Sequence, residues 1–522
     1  MTAFIPSRDE LQTARSQGHR KAVVAASLIT DGDTPLSLFA RLVRDEGGRF
    51  LFESVEGGER TGRWSFFGSG LQPALQLDAG KLSREGGGQD SPPQASETTG
   101  EELLAAIRSA LAEDEAWVAP GLPPFTGGLV GAFAFEALAT FEPVPSPPRA
   151  IADDWPDVDL LRADAPFAYD HATHRLHALG TVDLTASDVE SELATVRERL
   201  EARLLRFSSE PVRLLPFSPE NADPDAVPRH AHRSPENFEE AVRAAKEAIK
   251  AGEVFQVVLS QRWSVDVSVE PFTLYRALRA LNPSPYMFLV QRSDGRALVG
   301  ASPEVLVRVD EGEVAVRPIA GTRRRGRTTA EDLSLEHELL ADEKERAEHT
   351  MLLDLGRNDV GRVARPGTVR VEAPMHVERY AHVMHLVSDV FGTLAADKDA
   401  CDAFRAGFPA GTVVGAPKIR AAELVAELEP HRRGFYAGAV GYFDRAGSMD
   451  TCIAIRTLAV YPDRVDVQAG AGIVHDSDPA REHEECVNKA RSPFAAVALA
   501  LAGGRSALAS ARSEGPEPGG QA

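Results

Sequence analysis

Apolar residues recur at helical spacing just past residue 234: Phe238, Val242, Ala245 and Ile249 follow at intervals of three or four and stop before Gly252. Ser234 is suited to cap free backbone N–H groups, and Pro235 fits the first helical position, where a missing N–H costs nothing. The pattern predicts a helix of about four turns. It runs into EVFQVVLSQRW, whose β-branched and aromatic residues predict a strand buried on both faces. Gln256 is then a polar side chain among valines and needs a partner. Farther along, RALVGASPEV, GEVAVRPIAGT, GTVRVEAP, YAGAVGYFD, CIAIRTLAV and RVDVQAGAGIV read as strands, and helical periodicity falls near 331–357, 399–407, 416–429 and 480–501. Several strands succeed one another without a crossover helix. That predicts an α+β fold of large, mostly antiparallel sheets flanked by helices rather than a doubly wound parallel sheet.

Three stretches lack periodicity. Residues 82–100 and the tail from Gly503 combine Gly, Pro, Ser and Thr and are expected to be disordered, while four prolines interrupt the polar segment 217–235. The domain boundary is placed in that segment, giving an N-terminal domain over 1–220, a second over 221–502 and a tail over 503–522. No repeat at solenoid periods is present.

Composition narrows the function classes. The 522 residues carry 57 Lys plus Arg against 78 Asp plus Glu, a formal charge of −21, which disfavours nucleic-acid binding. Cys401, Cys452 and Cys486 include no C-x-x-C pair, so neither a disulfide framework nor a cysteine-zinc site is indicated. The N-terminus lacks a signal-peptide core, and the longest apolar run, Phe494 to Ala502, falls short of the ~20 residues that span a bilayer. A cytoplasmic protein without membrane contact is expected.

Glu345 and Glu348, and again Glu482 and Glu485, lie three apart on predicted helices, so each pair shares a face. Such a face is ordinarily a solvated acidic surface; the alternative is that the pairs converge on a hard cation, which takes carboxylates. Lys489 lies four residues beyond Glu485. Glycine-rich turns occur at Ala320-Gly321-Thr322, Gly411-Thr412, Gly415-Ala416-Pro417-Lys418 and Gly470-Ala471-Gly472. Each is either a plain turn or a place where backbone N–H groups approach an anion. No phosphate-loop or dinucleotide fingerprint is present. Arg323, Arg324, Arg325 and Arg456 add cationic groups that suit a carboxylated small molecule. His382 and His385 sit in an apolar stretch, either as packing residues or as a general acid/base. Nucleophile elbows are absent.

Taken jointly and in order, GEVFQVVLSQR, NPSPYMF, GASPE, RPIAGTRRRG, LLDLGRNDVGRV, HVMHLVS, GTVVGAPKIRA, GFYAGAVGY, IAIRT and QAGAGIV with HEECVNKA resemble the chorismate-utilising enzymes, most closely the large subunits that form anthranilate. The similarity covers about 236–500, and FLFESVEGGERTGRWSFFG extends it into the N-terminal half.

The resemblance implies loss of the C4 hydroxyl of chorismate with Mg²⁺ assistance, addition of ammonia at C2, and elimination of pyruvate to leave anthranilate. It assigns substrate contacts to Gly321, Thr322, Tyr436, Arg456, Gly470, Ala471 and Gly472, with Thr322, Arg456 and the 470–472 backbone suited to two carboxylates. Glu345, Glu348, Glu482 and Glu485 correspond to the Mg²⁺ cluster, Glu348 and Glu485 as direct ligands. Glu304 corresponds to the acid that protonates the departing hydroxyl and His385 to the histidine of the elimination step; Gln256, Thr412 and Lys489 complete the catalytic set. Isochorismate-forming relatives carry lysine at the position of Gln256 to activate water, and aminodeoxychorismate-forming relatives carry a nucleophilic lysine at the position of Ala320. Neither lysine is present here, which points to ammonia.

The N-terminal half is implied to be regulatory: Ser54, Asn282, Pro285, Tyr286 and Met287 correspond to a tryptophan feedback site, with Phe52 where leucine is usual. Tyr286 and Met287 suit an indole ring. None of the three cysteines lies in a glutaminase elbow, so ammonia is expected from glutamine through a separate amidotransferase subunit, in a heterotetramer of two large and two small subunits. The rival readings are a 2-amino-2-deoxyisochorismate-type synthase that stops before elimination, and an idle tryptophan sensor.

Overall fold

The computed structural model describes residues 3–43, 47–54, 62–84, 97–145, 155–206, 214–380 and 383–513. Two long antiparallel ladders organise them. In the first, Gly48–Glu53 pairs with Tyr286–Gln291, and the ladder continues through Ala297–Ser302, Thr457–Val460 and Val465–Ile473 to Gln256–Val265. In the second, Val158–Ala163 pairs with Gly128–Phe133, followed by Ala439–Asp444, Met449–Ile453 and Val305–Asp310. The strand Trp64–Asp78 serves both, pairing with Phe167–Asp170 at its start and with Val158–Ala163 at its end. Both ladders therefore cross the 217–235 segment. The fold is α+β with large antiparallel sheets, as the succession of strands without crossover helices requires.

Local chemistry accounts for the elements around the site. Ser234 Oγ accepts from the Asn237 N–H and Pro235 opens the helix Pro235–Lys250, which buries Phe238, Ala241, Val242 and Ala245. The strand Gln256–Val265 is buried along almost its whole length, held by Val465–Ile473 on one side and the short strand Gly415–Ala416 on the other. Leu75, Val257, Leu259, Val467 and Phe494 belong to one continuous core.

Three expectations are corrected. The helical pattern near 331–357 divides into Thr329–Ala341 and Glu343–Gly361, because Asp342 adopts an extended conformation and its carboxylate caps the N–H groups of Lys344 and Glu345. The expected disorder over 82–100 gives way at both flanks: Leu82 and Ser83 pair with Leu77 and Gln76, and Thr99 forms a capping box with Glu102 at the start of Gly100–Ala112. The last helix, Pro479–Ser513, runs past Gly503 and carries Pro493 inside it. Residues 85–96 and 514–522, and His382, lie outside the described residues. Cys401, Cys452 and Cys486 are buried free thiols. No helix among the described residues is long and apolar enough to cross a membrane.

Candidate active site

A cavity of about 950 Å³ opens where the first ladder meets the helices Glu343–Gly361 and Pro479–Ser513. Gln256, Glu304, Thr322, Glu348, His385, Thr412, Tyr436, Arg456, Gly470, Gly472 and Lys489 all line it. These residues are spread over more than two hundred positions of sequence, yet the ladders bring them to one place.

Gln256 leads its strand, and its amide Nε2 donates to Glu348 Oε1 at 3.4 Å, which supplies the partner its position demands. Gly472 makes room for that side chain: a Cβ there would lie 2.6 Å from Gln256 Nε2. Gly470 does the same for Tyr436, whose hydroxyl would meet a Cβ at 2.5 Å. Ala471, between them, is fully buried in the core and does not line the cavity.

Gly321 sits at the bulge where Ile319–Arg324 slips against Val383–Thr393, with φ of +63° that a side chain would strain. Its carbonyl accepts from His385 Nδ1 at 3.1 Å. A carbonyl can only accept, so Nδ1 carries the proton and the ring presents a bare Nε2. Thr322 Oγ1 lies 3.0 Å from the same Nδ1. Burial, with a smaller contribution from Arg456, pushes the imidazole below its ordinary range and keeps it neutral.

Glu304 is buried, and its carboxylate accepts from Thr412 Oγ1 at 2.8 Å. With no cation beside it, burial pushes its pKa up to about 8, the Thr412 hydrogen bond opposing only weakly. A carboxylic acid that stays protonated near neutrality can give a proton to a leaving group. Arg456 is half-buried at φ of +51° and donates through Nη1 to the Lys489 carbonyl at 2.8 Å. Lys489 Nζ in turn donates to the Gly470 carbonyl at 3.0 Å and pairs with Glu485 at 2.6 Å.

The four glutamates are less closely gathered than the sequence suggested. Among the described residues no group of three or more His, Cys, Asp or Glu is poised as a metal cluster. Glu345 is held by Arg323 at 3.1 Å and Glu485 by Lys489, so both have cations already. Glu348 is different: burial first, then the Glu345 and Glu485 charges, push its carboxyl up, and Glu482 is raised by burial and by Glu485. Excess negative charge on oxygen donors, insufficiently matched by side-chain cations, suits a hard divalent ion.

The arginine triplet is corrected outright. Arg323 pairs with Glu338, Asp342 and Glu345, Arg324 with Glu331 and Arg325 with Asp332, so all three brace local structure and none lines the cavity. Only Arg456 of the four does. Ile455, Leu352 and Gln468 also line it and carried no signal in the sequence beyond ordinary strand and helix composition.

A second cavity of about 710 Å³ shares no residue with the first. Ser54, Pro285, Tyr286 and Met287 line it together with Phe52, Trp64 and Asp450, and Tyr286 donates its hydroxyl to Asp450 at 3.0 Å. The register Met287↔Glu53 places Ser54 beside Tyr286. Asn282 does not line it; it ends the helix Pro271–Leu281, its N–H donating to the Leu278 carbonyl. Glu53, Arg63, Arg308 and Tyr442, which the motifs did not single out, also line it.

The family model for chorismate binding enzymes matches residues 49–495. Anthranilate synthase component 1 of Mycobacterium tuberculosis (strain ATCC 25618 / H37Rv) is 45% identical over 95% of this chain and 96% of its own length. Anthranilate synthase component 1 of Pseudomonas putida is 44% identical over 95% of this chain and 99% of its own. Among solved structures, anthranilate synthase component I from Streptococcus pneumoniae TIGR4 superposes with a TM-score of 0.71 at 34% identity, covering 90% of this chain and 98% of that one.

Proposed function

The chain belongs to the chorismate binding enzymes, and from that premise we infer that it forms anthranilate from chorismate as component 1 of an anthranilate synthase. The observation that carries the reading is one cavity in which the acid Glu304, the neutral His385, the cation Arg456 and the carboxylate Glu348 all meet. Arg456 and the 470–472 backbone receive the substrate carboxylates. Glu304 gives its proton to the C4 hydroxyl oxygen, which leaves as water with the bonding pair while ammonia adds at C2. Gln256 holds an uncharged amide where water would otherwise be activated, favouring ammonia. His385 Nε2 then takes the proton from C2, whose bonding pair closes the aromatic ring as the C3–O bond breaks and the departing enolate is protonated to pyruvate.

Chorismate-utilising enzymes are generally Mg²⁺-dependent. Glu348 and Glu485 would hold the ion here, with Glu345 and Glu482 supporting them, once Lys489 shifts from Glu485. When bound, the ion supplies charge neutralisation at the substrate carboxylate and polarises the departing group. Because His385 Nδ1–H is fixed on a carbonyl, His385→Met should slow elimination more than amination, so that a non-aromatic amino intermediate accumulates. A product mixture identical to wild type counts against that role.

The second cavity, lined by residues of both an N-terminal regulatory domain over 1–220 and a synthase domain over 221–502, is proposed as the tryptophan feedback site. Ser54→Phe should raise the tryptophan concentration needed for half-inhibition by on the order of tenfold, with the uninhibited rate unchanged. An unmoved inhibition curve would place the regulatory site elsewhere. The component 1 name of the relatives supports a partner subunit that releases ammonia from glutamine, and a heterotetramer of two large and two small subunits is the assembly proposed. Supplied with chorismate, Mg²⁺ and an ammonium salt, the purified chain should give a fluorescent aromatic amine; supplied with glutamine instead, it should give none. Glutamine-dependent turnover by this chain alone would contradict the separate subunit.

A further inference from the structure

We propose that Pro493 is a positioning residue for Arg456, acting by freeing the Lys489 carbonyl to hold the guanidinium. In a continuous helix the carbonyl of residue 489 accepts the N–H of residue 493. Residue 493 is proline, inside the helix Pro479–Ser513, and has no N–H to give. Its ring also crowds the carbonyl four residues back and tilts it out of the helical ladder. That carbonyl is the acceptor for Arg456 Nη1, at 2.8 Å. Proline is among the costliest residues in a helix interior, so its presence at buried position 493 calls for a return elsewhere.

The return is at the cavity. Arg456 is the arginine among its lining residues, is half-buried, and sits between the strands Met449–Ile453 and Thr457–Val460 in a left-handed conformation, φ +51°. A long side chain so placed needs an anchor if its remaining N–H groups are to keep one direction. The same residue 489 also fixes the opposite side of the pocket, its ammonium donating to the Gly470 carbonyl at 3.0 Å. One helical position thus holds both groups that receive a carboxylate, the guanidinium through its carbonyl and the glycine backbone through its side chain. Restoring a backbone donor at 493 would bring a competitor for the carbonyl and let Arg456 swing.

This inference rests on the reading that Arg456 binds a carboxylate of the substrate. Steady-state kinetics of Pro493→Ala with chorismate, ammonium and Mg²⁺, alongside thermal unfolding, test it. The KM for chorismate should rise on the order of tenfold, the loss of one charged hydrogen bond, with kcat changed far less. The Tm should hold or rise, since alanine is the better helix residue. A merely structural proline gives the opposite split, so an unchanged KM in the folded variant overturns the proposal. Pro493→Ser restores the same N–H with a different side chain; a KM rise accompanied by a lowered Tm in both variants would mark lost packing and also overturn it. Arg456→Gln separates the two levels. If it leaves KM unchanged, the substrate reading fails; if it raises KM while Pro493→Ala does not, that reading stands and the positioning role falls.

Discussion

Replacing Glu348 with alanine should lower kcat/KM by at least about a hundredfold, because charge stabilisation at a metal-assisted step is worth several kcal/mol and each 1.4 is a factor of ten. Glu348 is half-buried, takes a long 3.4 Å hydrogen bond from Gln256, and carries a carboxyl pushed upward by partial burial and by Glu345 and Glu485. Without a cation this is an expensive arrangement. With one, the raised carboxyl becomes a ligand, and the repulsion that pushed it up becomes attraction shared through the ion. Glu485→Ala should cost a similar factor and would in addition release Lys489 from its 2.6 Å ion pair. The loss should be partly recovered in Glu348→Gln by raising the Mg²⁺ concentration, which compensates weakened binding but not a missing proton-transfer group. Near wild-type rates at modest Mg²⁺ in either alanine variant would remove these residues from the metal site.

Glu304→Gln is the second large effect. Loss of a general acid costs on the order of a hundredfold to ten-thousandfold, and glutamine keeps the shape and the Thr412 contact while having no acidic proton. The pH profile separates this from a packing defect. Glu304 has its pKa raised to about 8, so it is protonated and competent below that pH and loses its proton above it. The wild-type rate should therefore fall as pH rises through about 8, and Glu304→Gln should show a low rate without that limb. An alkaline limb that persists unchanged in the variant belongs to another group.

Much of this arrangement was legible before any coordinates. Ser234 and Pro235 announce a helix start because capping depends on neighbours in sequence, and the valines around Gln256 announce a buried strand because burial on both faces leaves no room for alternation. The glycines at 321, 470 and 472 could be singled out but not explained from sequence. Their need is set by side chains far along the chain: Gln256 against Gly472, Tyr436 against Gly470, and a bulge opposite His385 at Gly321. The arginine triplet misled for the same reason in reverse. Its charge suggested a ligand, but Glu331, Asp332 and Asp342 lie within the following turn and helix starts and neutralise it locally. Asp342 itself breaks a helix that periodicity alone reads as continuous, since a cap acts through one backbone conformation that apolar spacing does not encode. Pro493 was silent as well. Only the partner of the carbonyl it frees gives it meaning.

The central claim is that this cavity adds ammonia to chorismate and then expels pyruvate. Following ¹⁵N-ammonium, chorismate and Mg²⁺ by NMR with the purified chain tests it most directly. The account predicts ¹⁵N in an aromatic amine, formed together with an equal amount of pyruvate. A hydroxylated product without ¹⁵N, or a stable non-aromatic amine without pyruvate, would contradict it.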